Sequence, residues 1–394
     1  MRAAVNFSGK CLTEQQMEMG SEFERTLQRY LFPCLCAFGI LGNCLNLTVL
    51  LNKRMRSRSN TFLALLAISD IVFLTLLTPN ILINFPIFTF NYTFRWLFFH
   101  SKVHLLALTN WSSAVALWTV IAVSAERLIG IRHPLYVRAH VASYKIRLVL
   151  FGLVMFPFVL TFYQHFGHIC LVRHYCGVPA TQVYSMCLPV TQERWFGNSS
   201  NPYSQSFRRF IRFSKLTNVT LVILVPILLL TALNMLLLCV LKHRSSQLRM
   251  NGDEMSTKPC VVDKNKDKHH RTEQRVTLTV VSIVTLFTVT NGPSAVDQLL
   301  QMAYPQPLSP LWYDISLVIS TLVIIGKSSN FLVFCLFSKS FRNRLVSLVN
   351  KKVHEKLESR RKSSFMPKAS LSLANRKETP NSTKTSTQER PSLF

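Results

Sequence analysis

The chain has 394 residues, 49% of them hydrophobic, and a formal net charge of +27. Its mean hydropathy of +0.24 argues against a soluble protein of several domains. So basic a soluble protein would suggest nucleic acid as a partner. Here, however, the basic residues mostly flank apolar runs, a pattern typical of cytoplasmic membrane edges that attract anionic lipids. We therefore expect membrane lipids, and no nucleic acid, as partners.

Seven stretches are apolar and long enough to cross a bilayer, which takes about 20 residues. The polar stretch 1–28 lacks the apolar core of a signal peptide, so the first of the seven is expected to act as the signal anchor. The sequence thus predicts an all-α membrane protein, with a tail over 1–29 and a seven-helix bundle over 30–337. The seven predicted spans are 30–52, 61–86, 103–131, 146–166, 216–241, 275–303 and 310–337.

Beyond the bundle, we predict a short amphipathic eighth helix over 338–350. The segment 351–394 is rich in Ser, Thr, Lys and Arg and has few large apolar residues. Such a composition cannot form a core, so this tail is predicted to be disordered. Serines at 363, 364, 370 and 372 lie among basic residues, where we expect kinases and arrestin to act.

Loop charge predicts the orientation. Four basic residues within 53–58 place that loop in the cytoplasm. With seven spans, the N-terminus is then extracellular and the C-terminus cytoplasmic. N-glycosylation triplets at Asn6, Asn91 and Asn198 fall outside under this topology. A basic cluster at 208–215 also falls outside, either because its side chains snorkel to lipid phosphates or because it faces a ligand.

Polar and proline motifs occur at characteristic depths in six of the spans and just beyond the seventh. In order and spacing they resemble the fingerprint of rhodopsin-like (class A) G-protein-coupled receptors, over roughly residues 30 to 350. The motifs are Gly39, Gly42 and Asn43 in span one, Leu66-Ala67-Ile68-Ser69-Asp70 in span two, Trp118 and Ser124-Ala125-Glu126-Arg127-Leu128 in span three, Pro226 in span five, Pro293 in span six, Ser328-Ser329-Asn330-Phe331 in span seven, and Phe341-Arg342 beyond it.

The resemblance implies a seven-helix plasma-membrane receptor that couples to a heterotrimeric G protein and is not an enzyme. No cofactor is implied. The Asn330-Phe331 pair is similar to that of invertebrate FMRFamide-type neuropeptide receptors. Three positions depart from the family pattern: Asn291 stands where the family usually has Trp, and Phe331 and Phe334 replace a Pro and a Tyr.

The resemblance also implies a switch at the cytoplasmic end. In the family, an acid at the position of Glu273 pairs with the arginine at the position of Arg127, which follows Glu126. Alternatively, Glu273 merely balances neighbouring arginines on a solvated helix end. Pro134 lies in a loop that resembles the family's G-protein docking segment, although it could simply terminate span three.

A polar network is expected in the core. The family usually holds sodium at the position of Asp70, but here span seven offers Lys327. Lys327 and Asn330 are three residues apart on one helix face. We hypothesise that the Lys327 ammonium replaces sodium; the alternative is a deprotonated lysine packed as an aliphatic chain. The predicted network comprises Asn43, Asp70, Lys327, Asn330 and Asn291.

Thr109 stands where aminergic receptors carry an aspartate, which argues against a monoamine ligand. The outer ends of the spans offer aromatic and hydrogen-bonding groups that suit the end of a peptide. Asp297 and Asp314 could pair with a basic peptide residue or be solvated loop acids. A lipid or odorant ligand stays open as an alternative. The pocket candidates are Thr109, Asn110, Trp111, Gln298, Gln301, Asp297, Asp314 and Tyr313.

Four cysteines are predicted on the outer side. Lys102 occupies the family's span-three cysteine position, so the family's usual bridge cannot form. Cys11, Cys170, Cys176 and Cys187 allow three complete connectivities. We favour Cys176 with Cys187 and Cys11 with Cys170. No Cys/His set has the spacing of a zinc site.

The sequence argues against two other functional classes. A secondary transporter would be expected to contain inverted repeats or interrupted half-helices, and neither is found. An enzyme would need a convergent nucleophile, base and oxyanion donor, which cannot be assembled from this sequence.

Overall fold

The computed structural model describes residues 11–52, 57–132, 143–176, 181–254, 264–304 and 309–364. Within these ranges, seven helices are long and apolar enough to cross a membrane, which confirms the predicted all-α seven-helix class. These spans, numbered one to seven along the chain, are Glu22–Leu50, Arg58–Leu82, Tyr92–Arg132, Tyr144–His165, Gln205–Val240, Thr277–Ala303 and Leu311–Phe337. Helix Val225–Glu254 forms the second half of span five and continues beyond it, and helix Lys264–Ala303 contains span six.

Spans three and five begin 11 residues earlier than predicted, at Tyr92 instead of 103 and at Gln205 instead of 216. Side-chain caps set both starts: Asn91 Oδ1 accepts from the Phe94 N–H at 2.9 Å, and Ser204 Oγ accepts from the Phe207 N–H at 3.3 Å. The added turns are rich in aromatic and basic residues. Hydropathy alone misses them because a helix can continue past the apolar layer.

Span five contains an irregular turn. Helix Gln205–Asn218 is followed by a π-helical turn, Val219–Leu224, and then by helix Val225–Glu254. Pro226 has no N–H, so it cannot donate to the carbonyl four residues before it, at Val222. A wide turn of this kind is rare and often lies beside a functional site. Here it carries Val219, Val222 and Ile223 along the wall of internal cavities.

Two glycines allow helices to approach closely. A Cβ on Gly39 of span one would lie 2.6 Å from Leu74 Cδ1 and 2.7 Å from Ser328 Oγ. A Cβ on Gly326 of span seven would lie 2.2 Å from Thr290 Oγ1 of span six. These contacts bring spans one, two, six and seven together as small residues do in membrane bundles.

A two-stranded hairpin follows span four. Strands β1 (His168–Tyr175) and β2 (Gln182–Pro189) are antiparallel, and Cys170 lies opposite Cys187. We call the end of the bundle that carries this hairpin the N-terminal end, and the opposite end the Arg127 end.

Residues 11–29, called here the N-terminal segment, are ordered, although the sequence predicted only a tail. The segment contains the helix Glu14–Met17 and the start of span one. Buried Arg95 donates to the carbonyl oxygen of Met17 at 2.8 Å and also to that of Val183 in β2. The Leu12 backbone exchanges two hydrogen bonds with the Gln182 side chain, at 2.7 and 3.1 Å. The segment is therefore attached to span three and the hairpin.

The chain divides into two compact units, Met1–Arg344 and Leu345–Phe394. The helix after span seven runs from Lys339 to Ser364, beyond the predicted end at 350 and into the segment predicted to be disordered. Two features explain its length: it contains no Gly or Pro, and it carries the i,i+4 pairs Lys351–Glu355 and His354–Glu358. The remainder of the predicted disordered tail lies outside the described residues.

Candidate functional site

At the Arg127 end, an acid and a base are adjacent. Arg127 Nε lies 3.7 Å from Glu126 Oε2, and each side chain is about a fifth exposed. One turn further along, Ile131 packs with Leu237 of span five and Val281 of span six. Spans three, five and six are therefore held together at this end by a small apolar cluster, which we call the inner cluster.

Two of the predicted switch residues are not described at side-chain level. Glu273 lies on helix Lys264–Ala303, but its side chain is outside the described part of the chain. Pro134 also lies outside the described residues. The pairing of Glu273 with Arg127 stays a prediction.

In the middle of the bundle, Lys327 meets Asp70. Its Nζ lies 3.3 Å from Asp70 Oδ1, and each side chain is 1% exposed. Asn330 Nδ2 donates to the other carboxylate oxygen of Asp70 at 2.5 Å. The ring of Phe73 lies beside the Lys327 amine, with its centroid 4.6 Å from Nζ. Asp70 thus has the amine of a lysine and an amide as partners in a site closed to solvent.

The other predicted network residues divide into two groups. Asn43 Nδ2 donates to the carbonyl of Lys327 at 3.2 Å and to that of Gly39 at 2.9 Å, so it lies next to the ion pair. Asn291 does not belong to this network, which corrects the prediction. Its amide donates within span six, to the carbonyl of Phe287 at 2.9 Å and to Thr290 Oγ1 at 3.1 Å. A bond to the carbonyl four residues back keeps this side chain on its own helix.

Three cavities lie towards the N-terminal end and share wall residues. The hairpin cavity, about 430 Å³, lies between the hairpin and spans three to six. The deep cavity reaches Phe287 and Asn291, and the N-terminal cavity lies under the N-terminal segment at Glu24 and Gln28. Four of the predicted pocket residues line these cavities: Asn110 and Gln298 line all three, Gln301 lines the hairpin cavity, and Thr109 lines the N-terminal cavity.

Three other predicted pocket residues line none of these cavities. Trp111 donates to the carbonyl of Val154 at 3.1 Å, which joins span three to span four. The Tyr313 hydroxyl donates to the carboxylate of Glu24 in the N-terminal segment. Asp314 also lies away from the cavity walls. Spacing along a helix does not reveal which side chains bridge two helices, and this is why the sequence misassigned them.

Asp297 has a structural role instead of the predicted ligand contact. It is 7% exposed and lines none of the three cavities. Its carboxylate accepts from Trp312 Nε1 at 3.1 Å, Ser316 Oγ at 2.9 Å and Gln301 Nε2 at 3.0 Å. This carboxylate, with three donors, joins span six to span seven, and none of the three cavities reaches it.

The cavity walls contain basic residues that are not among the predicted pocket candidates. Lys102 lines both the hairpin and the N-terminal cavity, and Lys215 and His168 line the hairpin cavity. Partial burial, and then the nearby Lys215 charge, lower the pKa of His168 below its usual value. Two features of the sequence could have indicated these wall residues. Lys102 occupies the family's cysteine position, and Lys215 belongs to the basic cluster at 208–215.

The disulfides join the four predicted cysteines in a different pairing. Cys170 is bonded to Cys187, and Cys11 is bonded to Cys176. The favoured pairing is therefore wrong. The register explains the first bridge, because Cys170 and Cys187 are opposite on the two strands. Cys176 follows the last residue of β1, where it meets the N-terminal segment.

The structure describes the three predicted glycosylation sites to different extents. Asn91 is exposed at the start of span three. Asn198 ends the turn Phe196–Asn198, but its side chain is not described. Asn6 lies outside the described residues.

The chain resembles known receptors over most of its length. The family described as serpentine type 7TM GPCR chemoreceptor Srw matches residues 30–352. A putative G-protein coupled receptor of Caenorhabditis elegans is 36% identical over 85% of this chain and 76% of its own length. Sex peptide receptor-related protein 2 of the same organism is 23% identical over 79% of this chain and 69% of its own. Cholecystokinin receptor type A of Rattus norvegicus is 32% identical over 32% of this chain and 28% of its own. The chain is therefore a multi-pass membrane protein, not an enzyme, and belongs to the Srw family of rhodopsin-like G-protein-coupled receptors.

Proposed function

We propose that this receptor lies in the plasma membrane with its N-terminus outside, binds a peptide at the N-terminal end, and activates a heterotrimeric G protein at the Arg127 end. The observation that carries the proposal is the set of cavities that share Asn110 and Gln298, at the opposite end of the bundle from Glu126 and Arg127. A volume of about 430 Å³ fits within the roughly 300–1,000 Å³ of ligand sites. Such a cavity can take one end of a peptide.

Charge, glycosylation and disulfides support this orientation. The basic loop 53–58 follows the rule that cytoplasmic loops are positive. The triplets at Asn6, Asn91 and Asn198 would then be extracellular and available for N-glycosylation. Both disulfides lie at the N-terminal end, and disulfides persist in oxidising compartments.

The peptide class has support from relatives and from the sequence. The names of two relatives refer to peptides, sex peptide and cholecystokinin. Asn330-Phe331 is similar to the FMRFamide-type pattern. A second candidate is an odorant or lipid, because the family is described as chemoreceptors and an apolar groove runs along spans four and five. The aromatic residues of this groove are Phe162, Tyr163, Phe166, Phe207, Phe210 and Phe213.

The switch would act by moving span six. Pro293 removes one intrahelical hydrogen bond and so forms a flexible point. Outward motion must separate Val281 from the inner cluster and break the 3.2 Å bond from Asn234 to Thr285. We propose that Glu273 pairs with Arg127 in the closed state. A pair at a wet membrane edge is worth about 1 kcal/mol at most, so a ligand can shift the population.

Two further parts complete the proposal. The Lys327 ammonium would replace sodium as the partner of Asp70. The exposed Lys351, Lys352 and Lys356 would bind anionic lipid, and kinases followed by arrestin would act on the tail serines.

Expression in cells with G-protein biosensors tests the function. A neuropeptide library should contain activators, whereas odorant and lipid panels should not. Arg127→Ala should abolish the response while surface staining stays unchanged. Activation by odorants or lipids alone would favour the second candidate.

Replacement of the proposed lock acid tests the switch. Glu273→Ala should raise basal G-protein signalling about two- to five-fold, because an exposed pair contributes up to about 1 kcal/mol. The double variant Glu273→Ala/Arg127→Ala should lose that increase. Basal activity equal to that of the unaltered receptor would contradict the lock.

A further inference from the structure

The wall of the hairpin cavity carries positive charge. Lys102 and Lys215 line it, and none of its described lining residues is Asp or Glu. His168 lies on the same wall, but its lowered pKa keeps it mainly neutral near pH 7. The two lysines therefore determine the sign of the charge in this cavity.

Lys102 has no ion-pair or hydrogen-bond partner among the described residues. It is half-buried on span three, beside Val103 and Leu106 of the same wall. The acid that acts on it electrostatically is Glu24, in the N-terminal segment. Glu24 lies beyond salt-bridge distance, and its carboxylate accepts from Tyr313 and from Gln28 Nε2, the latter at 3.0 Å. An ammonium that is partly removed from water and lacks a close counterion favours an incoming anion.

Lys215 differs from its basic neighbours. Of Arg208, Arg209, Arg212 and Lys215, only the last lines a described cavity. Lys215 and Asn218 are three residues apart on one face, and Asn218 lines both the hairpin and the deep cavity. The same helix face thus presents an ammonium above an amide.

The floor below the two lysines is polar but uncharged. Asn110, Gln164 and Gln298 line the hairpin and the deep cavity, and Asn110 donates to Gln164 at 2.6 Å. Asp297, the neighbour of Gln298 in the chain, accepts from three donors, and Glu24 lines the N-terminal cavity but neither of these two. Nothing described on these walls offers a carboxylate to a basic ligand group.

We propose that the hairpin cavity binds a carboxylate of the peptide ligand between Lys102 and Lys215, which makes the receptor selective for acidic peptides. The inference rests on the proposed peptide function and specifies its ligand class. The carboxylate belongs either to an Asp or Glu side chain or to a free C-terminus. Amides of the floor then bind the adjoining peptide groups.

Chemical protection of the lysines provides the test. Full-length receptor in lipid nanodiscs is acetylated, and modification of Lys102 and Lys215 is measured by mass spectrometry. The probes are pools of short random peptides without other acids, each with one position fixed as Asp, Asn or Lys. Every pool is made with a free-acid and with an amidated C-terminus.

We expect protection only by pools that contain a carboxylate. If amidated Asp pools protect, the side chain is the source; if free-acid Asn pools protect, the C-terminus is the source. Protection by amidated Asn or amidated Lys pools would overturn the proposal, and so would the absence of protection by every pool.

Variants distinguish binding in the cavity from non-specific attraction to basic residues on the surface. Lys102→Gln should weaken binding of the protective pool roughly 10- to 100-fold, the usual effect of losing a charged hydrogen bond. Lys102→Arg should retain most of the affinity. Arg209→Gln is the matched control, because Arg209 is exposed on the same helix as Lys215 but lines no described cavity. An equal loss in Arg209→Gln would refute a specific site.

G-protein activation by the same pools distinguishes failure of the carboxylate site from failure of the proposed signalling function. Protection by carboxylate pools without G-protein activation would leave this site intact but refute the proposed signalling function. Protection and activation by amidated Lys pools would support a peptide receptor and refute the acidic ligand class.

Discussion

At the scale of single residues, the buried pair of Asp70 and Lys327 imposes the strictest requirement. Removing both charges from water costs several kcal/mol for each, so the pair is tolerated only with close partners. Asn330 supplies a hydrogen bond to the carboxylate, and the face of Phe73 supplies a cation–π contact to the ammonium. Because the ammonium already lies 3.3 Å from Asp70, sodium should have little effect on ligand affinity.

Removal of one partner should be more harmful than removal of both. Lys327→Met leaves Asp70 buried without its cation, which costs roughly 3–5 kcal/mol. We expect low surface expression and a lower thermal transition in detergent, measured with a thiol-reactive dye. The double variant Lys327→Met/Asp70→Asn should recover much of the loss, because no isolated charge remains.

Lys339→Met is the matched control, since Lys339 is exposed after span seven and should tolerate the change. If Lys327→Met alone is as stable as the unaltered receptor, the pair is not required for folding. Strong sodium dependence of ligand affinity in the unaltered receptor would contradict the replacement of sodium by Lys327.

At the scale of helices, the described side chains that join spans three, five and six at the Arg127 end form a small apolar cluster. Leu237 is fully buried there between Ile131 and Val281, and one hydrogen bond joins Asn234 to Thr285. A cluster of this size can open without unfolding the bundle. The glycine contact of Gly326 with Thr290, in contrast, holds spans six and seven together nearer the middle.

Truncation within the inner cluster should favour the open state. A buried Leu→Ala change costs about 2–5 kcal/mol, and Leu237→Ala withdraws contacts that belong to the closed arrangement. We expect basal G-protein signalling to rise several-fold per receptor at the cell surface. The measurement is ligand-free biosensor output divided by surface staining.

Leu230→Ala is the control for stability, because Leu230 is equally buried on the same helix but lies outside the inner cluster. It should lower expression without raising the basal output per receptor. An equal rise in both variants would show that general loosening, and not opening at the Arg127 end, causes the signal.

At the scale of the whole molecule, the N-terminal segment is fixed across the N-terminal end of the bundle. The Cys11–Cys176 bridge joins it to the hairpin across 165 residues of chain. Arg95, 1% exposed, binds carbonyls of the segment and of β2, and Arg29 donates to Glu18 at 3.0 Å and to the carbonyl of Asn84 at 2.6 Å. A ligand that enters at this end, as we propose, must therefore pass beside a tethered segment.

Loss of that bridge should loosen the segment and leave the bundle intact. In Cys11→Ser/Cys176→Ser, we expect amide hydrogen exchange over residues 12–28 to become at least about ten-fold faster, since 1.4 kcal/mol of local stability corresponds to a factor of ten. Exchange in spans two and three should not change. Cys170–Cys187 stays in place to hold the hairpin.

Cys34→Ser provides the comparison, because Cys34 is exposed and unbridged in the described chain. In Cys34→Ser, amide hydrogens over residues 12–28 should exchange at the rate of the unaltered receptor. If the double variant also exchanges at the unaltered rate, the hydrogen bonds of Arg95 and Gln182 are sufficient to hold the segment.

The sequence by itself determined the class of the molecule. Spans follow from apolar length, because backbone groups inside a bilayer must pair within one helix. The spacing of Lys327 and Asn330 on one helix face led to the hypothesis of a lysine partner for Asp70, and the structure has that contact at 3.3 Å. Each of these features depends on neighbours within a few turns of one helix or on motifs with fixed positions in the family.

Only the tertiary structure decided the disulfide pairing, the ordered N-terminal segment and the composition of the cavity walls. Cys11 meets Cys176, and Asp297 meets Trp312 and Ser316, through contacts between elements that lie far apart in sequence or on different helices. Whether Lys102 faces a cavity or a partner likewise depends on how helices rotate and pack. No local pattern encodes that rotation, because it results from the close packing of all seven spans.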